Sequence, residues 1–404
     1  MTKKRLWIIS ELFYPEQSST SYILGEIAKK LELKYDVRII AGPKIYDKNN
    51  IVSNSIDSKL EDLKIYRVWA PKLNKNKLVQ RAFRLIWISF GLFIKSGFKV
   101  KSGDRLLFVT NPNLLIILLA WLKKVKKISV VLLVHDVFPE NTIPTHFISS
   151  SHNLKYKLFK KIFDHAYSAF EEFIVLGRDM KSILENKTGN SGSKKIYVIE
   201  NWGDTIRIQP KSRIQACLPV DKIVLNYAGN IGRCQGLMEF VNIISKVKNK
   251  NILLNIYGSG AIEDQIRQFI VKNNLEKRIK LLGSYKREDQ NDVLNDCDLA
   301  IVSLEKGMYG LGVPSKTYNI LAAGKPILYF GDPNSEIDLL VRNENIGFSF
   351  SLDQEQYIID FLEKLSLDDF DDFDDFLLMG KRARNLVENK YSKKEILNRF
   401  YDII

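Results

Sequence analysis

Cysteine and histidine are scarce in this chain, and their scarcity removes several chemistries. Its 404 residues hold three cysteines, Cys217, Cys234 and Cys297, and four histidines, His135, His146, His152 and His165. Three widely spaced thiols make neither a disulfide framework nor a cysteine zinc site, and a reducing compartment is expected. The histidines show no H-E-x-x-H or related ligand spacing. Long apolar runs are missing too: none reaches about 18 residues, and the nearest, Leu106 to Leu122, is broken by Asn111-Pro112-Asn113. Leu6-Trp7-Ile8-Ile9-Ser10 behind the basic start is too short for a signal peptide and is expected to be a first buried strand.

Acid is missing from one stretch. Between Asp62 and Asp104 no Asp or Glu occurs, while ten basic residues do. Residues 1–200 carry 34 basic and 18 acidic side chains, or +16; residues 201–404 carry 27 and 29, or −2, which together give the net +14. The apolar segment Phe83 to Ile94 lies inside the acid-free stretch, flanked by Arg81, Arg84, Lys95, Lys99 and Lys101. Further lysine clusters follow at 123–127 and 155–161. A basic half with aromatic segments suits an anionic membrane surface, and those five flanking residues are expected to face it. The alternative is a solvated basic face over an ordinary helix. No nucleic-acid-binding motif accompanies the charge, so nucleic acid is not an expected partner.

What is present is a globular composition, 45% hydrophobic and 27% charged, which excludes disorder, collagen and coiled coil. Short strands that are apolar throughout alternate with helical stretches: Leu6–Ser10, Val37–Ala41, Ile65–Trp69, Leu106–Thr110, Ser129–Val134, Phe173–Leu176 and Ile196–Ile199. The scheme repeats at Ile223–Ala228, Ile252–Tyr257, Ile279–Gly283, Leu299–Ser303 and Pro326–Phe330. This α/β pattern predicts two doubly wound parallel-sheet domains. Residues 201–221 lack periodicity and read as the linker. The D-D-F repeat of 367–376 reads as a structural surface segment.

Ligands of open parallel sheets bind at the carboxyl ends of strands, and five such ends carry suggestive residues. Ser18, Ser19 and Thr20 precede the first predicted helix and could cap it or present hydroxyls to a ligand. His135-Asp136 follows the very apolar Val130–Val134, with Pro139-Glu140 just beyond, and is the catalytic candidate. Gly229-Asn230-Ile231-Gly232-Arg233-Cys234-Gln235-Gly236 is a glycine-rich strand-to-helix turn containing a base, as backbone capture of phosphate requires. It matches neither the P-loop nor G-x-G-x-x-G. Gly258 and Gly260 would let backbone approach a flat ligand. Gly310-Leu311-Gly312-Val313-Pro314-Ser315-Lys316 precedes a helix beginning near Ser315, and Lys316 in its first turn is poorly placed for the helix dipole, so a phosphate partner would explain it. Asp296-Cys297-Asp298 is formally a D-x-D metal motif, but it precedes its strand and reads as structural.

In this order and spacing the segments resemble the retaining glycosyltransferases of family four with the GT-B fold, over nearly the whole chain. Tyr14-Pro15-Glu16, Asn201-Trp202-Gly203-Asp204, Gly229-Asn230-Ile231-Gly232, Gln235-Gly236-Leu237, Tyr257-Gly258-Ser259-Gly260, Leu282-Gly283 and Ala322-Ala323-Gly324-Lys325-Pro326 carry the likeness. His135-Asp136-Val137-Phe138-Pro139-Glu140 and Val313-Pro314-Ser315-Lys316-Thr317-Tyr318 are most similar to bacterial enzymes building O-antigen and capsule, including the N-acetyl-fucosaminyltransferase-like group.

The resemblance implies two Rossmann-like domains facing across a cleft: residues 1–203 for the acceptor and membrane, residues 204–384 for the nucleotide-sugar, and a C-terminal helix in 385–404 returning to the first domain. It implies a UDP-sugar donor, with an N-acetylated hexosamine or deoxyhexosamine, and a polyprenyl-diphosphate-linked saccharide as acceptor. Transfer would retain configuration and need neither metal nor cofactor, at the inner face of the cytoplasmic membrane. Carried over by position, His135 would contact the donor sugar and Asn230–Gly236 the diphosphate. Gly258, Gly260, Ser284 and Tyr285 would lie by the nucleoside, and residues 310–315 would hold sugar and phosphate through amides. The family often has Arg and Lys in the phosphate turn where this chain has Asn230 and Gln235. Of its two glutamates spaced eight apart, the ribose ligand aligns with Asn319 and the other falls near Leu311. Arg233 and Lys316 are the candidates to replace the missing charge. Two alternatives stay open: a catalytically silent membrane-bound partner of another transferase, and a UDP-sugar 2-epimerase.

Overall fold

The computed structural model describes residues 3–404 except 17, 45–59, 61, 72–77, 146–147, 149–150, 152, 190–191 and 368–374. Most of the D-D-F segment and the side chain of Arg81 thus lie outside the described residues. The chain divides into two compact units. One comprises Met1–Glu140, Ser150–Ile199 and Leu397–Ile404; the other comprises Asn141–Ser149 and Glu200–Ile396. The expected boundaries fell at 203 and 384. The return of the chain end is confined to Leu397–Ile404, and Asn141–Ser149 grouping with the second unit was not foreseen.

In the first unit seven strands form one sheet: β1 (Arg5–Ser10), β2 (Asp36–Ala41), β3 (Lys64–Arg67), β4 (Arg105–Val109), β5 (Ser129–Val134), β6 (Glu172–Val175) and β7 (Lys195–Val198). Their order is β3-β2-β1-β4-β5-β6-β7, and every neighbouring pair is parallel. Parallel neighbours require crossovers, supplied by α1 (Ser19–Leu31), α2 (Leu78–Lys99), α3 (Leu115–Lys126), α4 (Leu154–Ser168) and α5 (Arg178–Thr188). Helices on both faces explain why β5 is buried from Val130 to Val134, with no alternation.

The second unit repeats the design with β8 (Ile223–Ala228), β9 (Ile252–Tyr257), β10 (Ile279–Gly283), β11 (Leu299–Ser303), β12 (Ile327–Phe330) and β13 (Gly347–Phe350), ordered β10-β9-β8-β11-β12-β13. Its helices are α6 (Leu237–Lys246), α7 (Glu263–Lys272), α8 (Gln290–Asn295), α9 (Lys316–Ala322), α10 (Glu336–Asn343), α11 (Glu355–Lys364) and α12 (Asp375–Asn389), followed by α13 (Lys393–Ile403). Aliphatic residues of β8, β9, α6 and α11 form its core, where Phe240 meets Phe330 with ring centroids 4.4 Å apart. Strand order reverses beside β1 in one sheet and beside β8 in the other. Successive loops leave in opposite directions there and open a crevice at the strands' carboxyl ends.

The stretch expected to be a linker is packed. Trp202 is buried, the Gly203 amide donates to Tyr391 O at 3.0 Å, and Arg384 donates to the carbonyls of Thr205 and Ile208. Absence of periodicity here reflects irregular backbone held by specific hydrogen bonds.

A second correction concerns the flanking bases of the acid-free stretch. Arg84 is turned inward to Glu11 at 3.0 Å, with both side chains about nine-tenths buried. Lys95 donates to Arg67 O at 2.5 Å, and the Lys99 ammonium rests 4.7 Å from the Tyr66 ring centroid. A carbonyl at the end of the short edge strand β3, and a carboxylate just past β1, draw Lys95 and Arg84 back onto the unit, while Lys99 remains exposed. Lys101 stays exposed.

Asp104, which ends the acid-free stretch, anchors the first unit. Its buried carboxylate accepts from Arg5 Nε, Trp7 Nε1 and the Lys101 amide, each at 2.9 Å. Asp104→Ala would leave the buried Trp7 indole and Lys101 amide without acceptors. A loss of about 3 kcal/mol in urea unfolding is expected, and a loss below about 1 kcal/mol would show that the network is dispensable.

Candidate active site

At the carboxyl end of β8 the chain makes the turn 229–236, and that of β11 leads through residues 304–315 into α9. Between them lies Lys316. Its stem passes over Gly229, where an added Cβ would stand 3.3 Å from Lys316 Cδ. Its ammonium sits 3.3 Å from the Tyr227 ring centroid, buried and without a hydrogen-bond partner among the described residues. Burial alone pushes its pKa well below the ordinary lysine range; no carboxylate offsets the desolvation. Ser303 Oγ and Thr317 Oγ1, also at this end of the sheet, are buried and unpartnered as well. A cation–π contact replaces only part of the lost hydration. The pocket is therefore unsatisfied and suited to a strong acceptor.

The turn itself is internally ordered. Tyr227 Oη donates to Asn230 O at 2.6 Å and lies 3.3 Å from Gln235 Oε1. Gly236 has φ +56°, a left-handed start to α6. Arg233 is exposed, with no ion pair among the described residues. The loop before α9 is tied down by Asp332, which accepts from the Gly307 and Tyr309 amides at 3.0 and 2.8 Å. Within that loop Leu311 is buried, while Gly312, Val313, Pro314 and Ser315 are half-buried.

Gly258 and Gly260 have a packing role that the sequence did not show. A Cβ at Gly258, where φ is +137°, would stand 1.8 Å from Gly229 O; at Gly260 it would stand 2.2 Å from Ile231 O. Both are glycine because the β9 turn packs on the β8 turn, bridged by Ile231 N to Ser259 O at 3.0 Å. Ser284 Oγ donates to Ser259 Oγ at 2.9 Å, and the largely buried Tyr285 packs edge-on to Tyr257. Asn319 Oδ1 accepts from the Asp204 amide at 3.0 Å. That acceptor is thus engaged in fixing the 201–204 segment, and Nδ2 is what it could offer a ribose.

The D-x-D carboxylates are structural. Asp296 accepts from Asn255 and Tyr257; Asp298 accepts from the Val224 amide at 2.8 Å and pairs with Arg213. Among the described residues no group of three His, Cys, Asp or Glu is placed to hold a metal ion.

In the first unit, His135 and Asp136 leave β5 at its carboxyl end. Thr110, just past β4, receives the His135 amide at 3.2 Å on its Oγ1 and so fixes the start of this turn. His135 Nε2 is buried without a partner, and burial lowers the imidazole to about 4, so it is neutral at pH 7. Asp136 is exposed and stays ionised near neutrality, although desolvation raises its carboxyl to about 6. Ser18 caps α1 by accepting the Ser21 amide at 3.2 Å, while Ser19 is exposed and Thr20 half-buried. Thr110, Tyr227, Ser303 and Thr317 were not singled out from the sequence. The strand ends were legible; the bond of Thr110 to the His135 amide and the burial of the Ser303 and Thr317 hydroxyls were not.

Two parallel-sheet Rossmann-like units define the GT-B architecture of glycosyltransferases. HepE of Anabaena, solved with UDP and glucose, shares that fold: TM-score 0.71 at 14% identity, covering 99% of each chain. Residues 209–392 match the family of glycosyl transferases group 1. The probable glycosyltransferase WbjE of Pseudomonas aeruginosa is 29% identical over 402 residues, 98% of this chain and 96% of that one. WcaI of Escherichia coli (strain K12), described as a colanic acid biosynthesis glycosyl transferase, is 25% identical over 167 residues, 39% of this chain and 40% of that one. The chain thus has the GT-B fold, its residues 209–392 match the group 1 glycosyl transferases, and over its length it is similar to a probable glycosyltransferase.

Two outcomes follow from the geometry. Gly258→Ala is expected to unfold or severely destabilise the second unit, seen as loss of the cooperative thermal transition, because its Cβ meets backbone. Lys316→Met tests the buried amine through pH. The unfolded chain keeps this lysine protonated to about pH 10.4, whereas the folded chain does not, so stability should rise with pH across that window by at most about 1.4 kcal/mol per unit. It is lost again as pH falls through the lowered folded value. The methionine variant should lack this component when urea unfolding is compared between about pH 6 and about pH 9, and parallel profiles would show that the amine is not desolvated.

Proposed function

We propose that this glycosyltransferase moves a sugar from a UDP-sugar to a saccharide carried on a polyprenyl diphosphate, in the synthesis of a surface polysaccharide of the O-antigen or capsule type. The donor sugar is an N-acetylated hexosamine or deoxyhexosamine, and configuration is retained. The observation that carries this reading is the buried, unpartnered Lys316 amine at the β8–β11 reversal, beside a glycine-rich turn bearing Arg233. A diphosphate supplies the missing acceptor and restores the ammonium. HepE, of the same fold, was solved with UDP and glucose, and WcaI is described by colanic acid biosynthesis; both support the donor and pathway class.

In the reaction the bond from the anomeric carbon to the diphosphate oxygen breaks, and its electron pair leaves with UDP. The acceptor hydroxyl forms the new bond to that carbon and gives its proton to the departing phosphate. Arg233, Lys316 and the amides of 310–315 meet the charge that develops on the leaving group, which is where electrostatic stabilisation acts most. The transfer uses no cofactor and no resident metal. Neutral His135 hydrogen-bonds the donor sugar and orients it, and Thr110 holds the turn that carries it. The acceptor is membrane-borne, so the enzyme works at the inner face of the cytoplasmic membrane.

Calorimetry with UDP and with uridine tests the phosphate assignment. Arg233→Ala and Lys316→Ala should each weaken UDP by about 1.5–3 kcal/mol, the scale of charge-assisted hydrogen bonds, and leave uridine nearly unchanged. Equal losses for both ligands would remove these residues from the diphosphate. His135→Ala should keep UDP affinity and lower turnover of the matching UDP-sugar by about two orders of magnitude; unchanged turnover in the folded variant would end its catalytic role.

A further inference from the structure

The outward face of α2 is unusual. The helix buries Ile88 and Leu92 on one side, yet Val79, Phe83, Phe90, Ile94 and Phe98 on the opposite side are exposed, Phe98 to 84%. A surface helix of a globular protein presents charge on that side. The apolar surface continues beyond α2: Trp69, 69% exposed, stacks edge-on with Trp87, and Trp121 of α3 meets Phe93 at 5.8 Å. An open groove of about 380 Å³ runs along it, lined by Val68, Trp69, Gly91, Ile94 and Phe98 and by the stems of Lys95 and Lys99. On α4 the exposed Leu154, Leu158 and Ile162 continue the same character.

The charges around this face have one sign. Helices α2, α3 and α4 contain one acidic residue, Asp164, and it is ion-paired to Lys160 and Lys187. Lys124, Lys127, Lys155, Lys157 and Lys161 are exposed, with no ion pair among the described residues. No described helix is long and apolar enough to cross a membrane. An apolar, tryptophan-bearing face rimmed by unpaired lysines fits the boundary between head groups and acyl chains. A second copy of the chain fits poorly, since facing copies would oppose like charges.

We propose that the outward face of α2, with the exposed sides of α3 and α4, is a monotopic docking surface for an anionic lipid bilayer. The aromatic and aliphatic side chains of α2 enter the acyl boundary, and the lysines of α3 and α4 meet the head groups. The bases that act are therefore these lysines, with the exposed Lys99 and Lys101, rather than Arg84 and Lys95, which are spent on the unit's own acceptors. This deepens the reading of a membrane-borne acceptor by naming the surface that meets the membrane.

Flotation with phosphatidylcholine vesicles, with and without phosphatidylglycerol, tests it without donor or acceptor, so the outcome is separate from that of transfer. Binding should require phosphatidylglycerol, weaken with salt, and shift tryptophan emission to the blue. Phe83→Ser with Phe90→Ser and Phe98→Ser should abolish the shift. Lys124→Glu with Lys127→Glu and Lys161→Glu should weaken binding by about a hundredfold or more. Thermal unfolding near that of the parent certifies each variant; should the triple serine variant unfold, Phe98→Ser alone is read by the smaller blue shift it must give. No binding to either vesicle, or equal binding to both, overturns the proposal. So does a dimer, seen by sedimentation without vesicles, that the serine variant dissolves.

Discussion

A parallel sheet covered by helices on both faces has no free face on which to do chemistry; only the rims where strands end remain. Both halves of this chain are built under that constraint. The side chains of β5 and β8 are largely consumed by packing, so the polar groups of interest gather at strand ends and in the loops beyond them. His135 follows β5, Thr110 follows β4, and Gly229 follows β8. The reversal of strand order then decides which rims have room. Beside β8 and β11 neither loop covers the other's exit, and the buried lysine occupies that gap.

The fold was largely legible because the same constraint writes itself into composition. Runs such as Val130-Val131-Leu132-Leu133-Val134 have no polar alternation, and only burial on both faces accounts for that. What escaped was short or half-polar: β13, Gly347–Phe350, is half-buried along its length and lacks the signature. The site was legible as a set of places and less so as a set of roles. Gly258 looked like an opening for a ligand, but its neighbour is the carbonyl of Gly229. Such a contact joins residues from two crossover units, and periodicity carries no information about it. Arg84 and Lys95 were similarly opaque, since charge along a sequence does not tell which way a side chain turns.

Lys316 shows how one charge can be held in reserve. A lysine facing water carries its proton at any physiological pH and attracts every passing anion. Placed over an aromatic ring and walled from solvent, it gains its full charge only when something anionic displaces the need for water. Selectivity then comes from the cost of filling the pocket wrongly, since a neutral ligand leaves the amine as poorly solvated as before. The aromatic floor, Tyr227, is fixed by its own hydroxyl on Asn230 O, so turn and lysine are positioned by the same residue.

The grouping of Leu397–Ile404 with the first unit reaches beyond architecture. Tyr35 donates to Ile404 O, Arg399 to Val198 O, and Arg105 lies 3.4 Å from Ile403 O. These contacts join residues 369, 201 and 298 positions apart. The first unit cannot close this edge until residues 397–404, which follow the second unit in the chain, have been made. Synthesis order and folding order are therefore inverted at this edge. The early-made unit spends translation with that seam open.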